Sequence, residues 1–254
     1  LGPGPELKAT VCLTKNTQAF LSQHIGDLQN LETFHFYQDT VQHMKSILQV
    51  EPELLVTDLH PDFMSTRYGA GQEELPALTL QHHFAHVHAV LAENRHLGPA
   101  LGLILDGTGL GLDRTVWGGE LLAVDSRTND HQRLGHLHQV CMPGGEQAIA
   151  QPWRMAQAFL HALGEHEPAS RAWPWLKEHG QTSSMVKQIL DKNVACVRTS
   201  SCGRLFDALS ALLGLCHCIE YEGQAAIILE TIQDLTEQKA SPLPIKEKGR
   251  RIIL

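Results

Sequence analysis

The sequence predicts an α/β protein made of two halves, each opening on strands and closing on helices, and three observations carry that reading. Short apolar runs bounded by turn residues, such as "ATVCLT", "ELLVTDL" and "ALGLILD", have the length and composition of strands. Other stretches space their apolar residues at helical intervals. The strand pattern then restarts at Ala100, which divides the chain into a first half of residues 1–99 and a second of residues 100–254. No residue-level repeat accompanies the division.

In order, "LGPGP" reads as a linker, and "ATVCLT" and "QAFLS" form a hairpin about Lys15-Asn16. From Thr33 to Gln49 the residues Phe36, Val41, Met44, Ile47 and Leu48 make one face of an amphipathic helix. "ELLVTDL", ending at His60-Pro61, and "ALTL" are strands, and a helix of about four turns then runs towards Gly98. In the second half "ALGLILD" ends in Asp106, and "TVWGGELLAVD" and "RLGHLHQV" are two antiparallel strands. Helices follow over Glu146 to Leu163, Ser183 to Leu190, Gly203 to Leu215 and Gln224 to Glu237. "KEKGRRIIL" opens a new strand, so the chain is expected to stop in mid-domain.

Composition narrows the function. With 43% hydrophobic and 19% charged residues the chain is globular rather than disordered. A net charge of -8 argues against binding nucleic acid through its phosphates, which requires surplus Lys and Arg. No apolar run has the length of a membrane span and no signal sequence opens the chain. Cys12, Cys141, Cys196, Cys202, Cys216 and Cys218 show no CxxC pair, so they are expected as reduced, buried thiols of a cytoplasmic protein.

The chemistry concentrates in three places. "LQHHFAHVHAVLAENRHLG" puts His82, His83, His86 and His88 inside seven residues. On a helix His82 and His86 share a face and their imidazoles can converge on one ion, while Phe84, Val87 and Leu91 pack inward. His83 points about 100° from His82. The spacing is that of the histidines of HExxH, but His83 and Phe84 stand in place of its glutamate, so a zincin base is missing. An isolated HxxxH would be read as a solvated helix face. Asp106, at the end of the next strand, offers a third ligand and favours a metal.

In "LDGTGLGLD" the glycines Gly107, Gly109 and Gly111 follow Asp106, with Thr108 between them. Such a run can form an anion-binding nest, or simply a turn between strands. It lacks GK[ST], so it is no Walker loop. Gly118 and Gly119 in "WGGE" suggest a second close approach of backbone to ligand. In "SSCGRLFDALSALLG" a helix opens at Gly203, where free N–H groups favour an anion, and Asp207 lies one turn on, in reach of ribose hydroxyls. Alternatively this is an ordinary N-cap followed by a solvated aspartate.

Together, "DLHPDFMSTRYG", "LQHHFAHVHAVLAEN", "LDGTGLGLDRTVWGGELL", "SSCGRLFDALSALLG" and "YEGQAAIILE" resemble, in order, the C-terminal region of the HypF family, the carbamoyltransferases of [NiFe]-hydrogenase maturation. "ELKATVCLTKNTQAFLSQHIGDL" resembles that region's opening hairpin, so the likeness covers most of Glu6 to Glu230. It implies an α/β fold of the two-lobed actin/Hsp70 ATPase type, a duplicated ribonuclease-H-like unit, with the second lobe truncated. It implies that His82, His86 and Asp106 bind a divalent metal, zinc or iron. Nucleotide, as ATP, ADP or carbamoyl adenylate, is then expected against Gly107, Thr108, Gly109, Gly111, Gly118, Gly119, Gly203 and Asp207.

The implied activity starts from carbamoyl phosphate and ATP and passes the carbamoyl group to the C-terminal cysteine of a partner, HypE. Phe84 stands where the family usually has a further histidine, and Arg114 where it often has glycine. A "GG" nucleotide turn and another acidic metal ligand lie past this C-terminus in the family. Its acylphosphatase, zinc-finger and YrdC-like portions lie before this N-terminus. The competing readings are a protein like the tRNA threonylcarbamoyl transferases and an inactive metal- or nucleotide-binding fragment. The acidic charge and the "DLHPDF" and "WGGE" stretches speak against the first of these.

Overall fold

A computed structural model describes residues 1–165, 173–233, 245–248 and 251–253. The chain separates into two compact units, Leu1–Ala85 and His86–Leu254, so the division falls inside the histidine helix.

In the first unit β1 (Cys12–Lys15) and β2 (Gln18–Leu21) form the expected antiparallel hairpin, with Asn16 at positive φ in its turn. The helix α1 (Leu31–Leu48) starts where Asn30 Oδ1 accepts from the Glu32 and Thr33 N–H groups, at 2.9 and 3.1 Å. It stops where Gln49 turns left-handed. Its inward face places Tyr37 and Val41 against Ala9, Val11 and Leu28, and the Tyr37 hydroxyl donates to Pro3 O at 3.0 Å. The parallel strands β3 (Leu55–Asp58) and β4 (Ala77–Leu80) are joined through α2 (Met64–Ala70). Sequence reasoning missed α2 because Pro61 and two aspartates obscure its start. The cap comes from far away in the chain: buried Glu6 accepts from Met64 N–H at 2.7 Å.

The histidine helix is α3 (His82–Glu93), one turn shorter than expected. Buried Gln81 caps it, its Oε1 accepting from His83 and Phe84 N–H at 2.8 and 3.2 Å. Phe84 and Val87 are buried, as the helical spacing requires.

Among the described residues the second unit is built on a seven-stranded mixed sheet. The strands β5 (Pro99–Leu110), β6 (Val116–Asp125) and β7 (Asp130–His136) run antiparallel in succession. Val87 packs where Gly102 has no side chain: a Cβ there would lie 2.4 Å from Val87 Cγ2. "RLGHLHQV", read as one strand, is two: β7 ends at His136 and β8 (Val140–Pro143) pairs instead with β9 (Cys196–Thr199). A periodicity argument does not find the break, because the connection from Leu137 to Gln139 carries no glycine or proline to mark a turn.

Helix Glu146 to Leu163 is likewise divided into α4 (Gln147–Ala150) and α5 (Pro152–Ala162), because Pro152 fits only the first turn of a new helix. Then come α6 (Leu176–Lys192), α7 (Cys202–Leu212) and α8 (Gln224–Thr231). Residues 234–237 of the last predicted helix lie outside the described residues. The terminal pair β10 (Lys246–Lys248) and β11 (Arg251–Ile253) joins the sheet beside β7. The core lies where α5, α6 and α7 meet β8, around Trp153, Met155, Trp175, Val186 and Ala211.

One cysteine expectation is corrected. Cys141 and Cys196 form a disulfide, whereas Cys12, Cys202, Cys216 and Cys218 are free. The antiparallel pairing of β8 with β9 brings their Cα atoms to 5.2 Å across 55 residues of sequence, a separation that hid the pair from a search for short spacings.

Arg114 sits in the hairpin between β5 and β6 with φ of 61°. Left-handed backbone costs a non-glycine residue about 1–2 kcal/mol, and glycine returns about 0.5–1 of that as lost entropy. Arg114→Gly is therefore expected to stabilise the chain by roughly 0.5 kcal/mol or slightly more. Urea unfolding checks this, and a destabilised variant would mean that the exposed Arg114 side chain has a stabilising contact.

Candidate functional site

The four clustered histidines have four different surroundings. His83 is fully buried, and its Nδ1 lies 3.1 Å from Gln81 Nε2, whose amide N–H donates to it. His82 Nδ1 lies 3.4 Å from Asp58 Oδ2. A carboxylate on Nδ1 is the arrangement that orients a histidine to ligate through Nε2. Asp58 also caps the turn after β3, accepting from His60 N–H at 2.8 Å.

Sequence reasoning passed over Asp58 as a functional residue, although "TDLHPD" shows a carboxylate at a strand end as Asp106 does. His86 is exposed and faces Asp106, Nε2 to Oδ2 at 3.8 Å. His88 lies on another side of α3, with Nε2 at 2.7 Å from Nε2 of His131. Burial, and then His88, lower the His131 pKa against the opposing pull of Asp130.

The His86–Asp106 separation is too long for a hydrogen bond. It is within the ~4 Å that two ligands of one ion can span at bond lengths of about 2.0–2.2 Å. An imidazole and a carboxylate also form a donor set suited to zinc or iron. The residues present therefore fit a divalent metal.

The glycine-rich stretch is not the tight turn expected. It continues β5 and carries a bulge between Leu105 and Gly109, past which Gly109 pairs with Trp117. The bulge holds Asp106, Gly107 and exposed Thr108 out of register. Gly107 N–H donates to Asp106 Oδ1 at 2.6 Å, and a Cβ on Gly107 would meet nothing within 4 Å, so open space adjoins it. Gly111 N–H bonds Thr115 O, and the Trp117 ring lies against its Cα. The actual turn is Gly111 to Thr115.

Gly118 and Gly119 do make a close approach, but to protein. Both N–H groups donate to Glu120 Oε1, at 3.1 and 3.3 Å. Glu120 is itself buried and ion-paired to Arg133 at 2.6 Å. Arg133 also donates to Asp113 Oδ2 at 2.8 Å and Ser200 Oγ at 3.1 Å, and its guanidinium stacks on Trp117 at 4.1 Å. Burial works against ionisation of Asp113. The bonds from Thr115 and Trp117, with the Arg133 charge, outweigh it and hold the carboxyl below its ordinary range.

The start of α7 lies against the bulge. Ser201 caps the helix, accepting from Arg204 N–H, and its hydroxyl lies 2.6 Å from Gly107 O and 3.2 Å from Asp106 O. A Cβ on Gly203 would come within 2.9 Å of Gly107 Cα, so glycine is required for this approach. Asp207, assigned from sequence to a ribose, is buried instead, with Oδ2 at 2.6 Å from Arg204 Nε. Burial pushes its carboxyl up, against the opposing pull of Arg204. The helical spacing shows the shared face of Gly203 and Asp207 but not that Arg204 folds back onto it.

No helix among the described residues is long and apolar enough to cross a membrane. The family model described as "Carbamoyltransferase, Kae1-like Domain, second subdomain" matches residues 102–254, and that for the HypF Kae1-like domain matches residues 1–93. Fold and family model thus define the class, the Kae1-like α/β domain of the carbamoyltransferases.

Carbamoyltransferase HypF2 of Cupriavidus necator is 45% identical over 245 residues, covering 95% of this chain and 30% of that protein. Carbamoyltransferase HypF of Rhizobium leguminosarum bv. viciae is 44% identical, covering 91% and 30%. A crystal structure of full-length HypF in the phosphate- and nucleotide-bound form superposes with a TM-score of 0.90 at 32% identity, over 99% of this chain and 32% of that one. The chain belongs to the HypF carbamoyltransferase family, and spans about a third of the length of these relatives.

Proposed function

We propose that this chain carries the transfer step of a carbamoylation in [NiFe]-hydrogenase maturation. The donor is carbamoyl adenylate, formed from carbamoyl phosphate and ATP by other parts of the full protein, and the acceptor is the C-terminal cysteine of HypE. The observation that supports this best is the placement of His86 and Asp106 beside the open space at Gly107 and the start of α7.

His82, oriented by Asp58, joins His86 and Asp106 in holding a divalent cation. When bound, the cation supplies Lewis-acid polarisation of a carbonyl or phosphate oxygen. The AMP phosphate lies against Gly107, Thr108 and Gly109, where the N–H groups that α7 leaves unpaired at Gly203 stabilise its charge. Gly111, Gly118 and Gly119 shape the wall around it. Asp207 reaches the ribose only by releasing Arg204. The acceptor thiolate attacks the carbamoyl carbon. A C–S bond forms, the C–O bond to the adenylate phosphate breaks, and AMP leaves with that electron pair, so the chain contributes positioning and charge stabilisation rather than a nucleophile.

The test is mass spectrometry of HypE after mixing with this chain and carbamoyl adenylate. A metal-dependent carbamoyl adduct on the terminal cysteine is expected. An adduct that forms equally well without the chain, or with the His82→Ala/His86→Ala double variant, overturns the reading. Elemental analysis of that double variant is expected to show bound metal lost. Calorimetric titration with ATP and ADP tests the nucleotide, and unchanged affinity in Asp207→Ala would remove Asp207 from the site.

A further inference from the structure

We propose that Glu120, held in place by Arg133, is the positioning residue for the strand-end carboxylate Asp106. Neither side chain is within the site, and both are buried. Their placement nevertheless fixes the backbone on either side of the bulge. Glu120 Oε1 accepts from Gly118 N–H, Gly119 N–H and the Ser200 hydroxyl, so one oxygen ties β6 to the residue next to the Ser201 cap of α7. Arg133 holds the other oxygen and also donates to Ser200 Oγ.

The elements joined in this way are those between which Asp106 is wedged. A Cβ on Gly118 would come within 2.5 Å of Asp106 O and 3.1 Å of Ser201 Cα. From the other side Ser201 Oγ bonds the carbonyls of Asp106 and Gly107. A shift of Gly118 against Ser200 therefore moves the peptide that carries the Asp106 side chain, and with it the approach of Asp106 to His86. Glutamate suits this place because one carboxylate oxygen can take three donors while the other meets a guanidinium.

The inference rests on the metal reading above, and its test separates the two. Cobalt(II) is titrated into the whole chain at 25 °C and its visible absorption recorded. Glu120→Leu/Arg133→Met removes the charge pair and the Oε1 acceptor. Glu120→Gln/Arg133→Met removes the charges and keeps the acceptor. Ser200→Ala removes only the link to α7, and keeps the question decidable where the leucine variant does not fold.

The leucine variant is expected to bind cobalt about 10- to 100-fold more weakly, with shifted bands, in the range seen when partners behind a metal ligand are lost. Ser200→Ala should fall in the same direction, and the glutamine variant should remain close to wild type. A purely structural role predicts a lowered Tm with unchanged cobalt affinity and spectrum in the folded protein. That result, in the folded leucine variant or in Ser200→Ala, overturns the inference. A wild-type chain that binds no cobalt defeats the metal reading itself, and the inference with it.

Discussion

Arg133→Met alone is expected to destabilise the chain by about 3–5 kcal/mol, the cost of leaving a buried partner charge uncompensated. Glu120 has no solvent exposure at its side chain and Arg133 only 4%, so water cannot replace the lost guanidinium. The methionine keeps the packing against Trp117, which isolates the electrostatic loss. Adding Glu120→Gln should recover most of the stability. The neutral amide still accepts from Gly118, Gly119 and Ser200, and its NH2 group, left without an acceptor, costs about 1–3 kcal/mol, less than a stranded charge. Guanidinium denaturation of the two variants measures this. A double variant no more stable than Arg133→Met would show that the shape of the arginine, rather than its charge, holds the strands.

Trp153→Ala should cost about 3–5 kcal/mol, the range for removing a fully buried aromatic side chain. Trp153 has no exposure, stacks on His179 at 5.0 Å and anchors α5 against β8, α6 and α7. Its indole Nε1 is buried and has no hydrogen-bond partner among the described residues. Trp153→Phe is therefore expected to be much milder. It loses part of the ring but also an N–H whose burial is uncompensated, a gain of about 1–3 kcal/mol against the lost packing. Thermal unfolding of both variants decides, and equal losses would mean that the N–H has a partner, such as a bound water. Because α7 packs on this core and also starts beside Gly107, the alanine variant should weaken nucleotide binding as well.

Much of the fold could be read directly. The hairpin at Lys15-Asn16, the helix over Leu31–Leu48 with Val41 buried, and the inward side of α3 at Phe84 and Val87 follow from local periodicity and turn chemistry, whereas Phe36 and Ile47 of the expected apolar face are exposed and Tyr37 is buried in their place. Local interactions decide those features, and a sequence displays them. His86 and Asp106 could also be singled out, because a histidine on a helix face and a carboxylate ending an apolar strand are visible as residue types in context.

What only the tertiary structure decided concerns partners distant in the chain. Glu6 caps α2 from 58 residues away, and Cys141 reaches Cys196 across 55. Ser200 bonds Glu120 over 80, and Arg133 gathers Asp113, Glu120 and Ser200 around one guanidinium. The N–H groups of Gly118 and Gly119, which the sequence offered to a phosphate, are taken by a carboxylate from the same strand, and Asp207, offered to a ribose, is taken by Arg204. Residue type and spacing determine what a group can bind. Which partner it binds depends on strand register and helix packing, because a buried polar group takes whichever complementary atom the fold brings within about 3 Å.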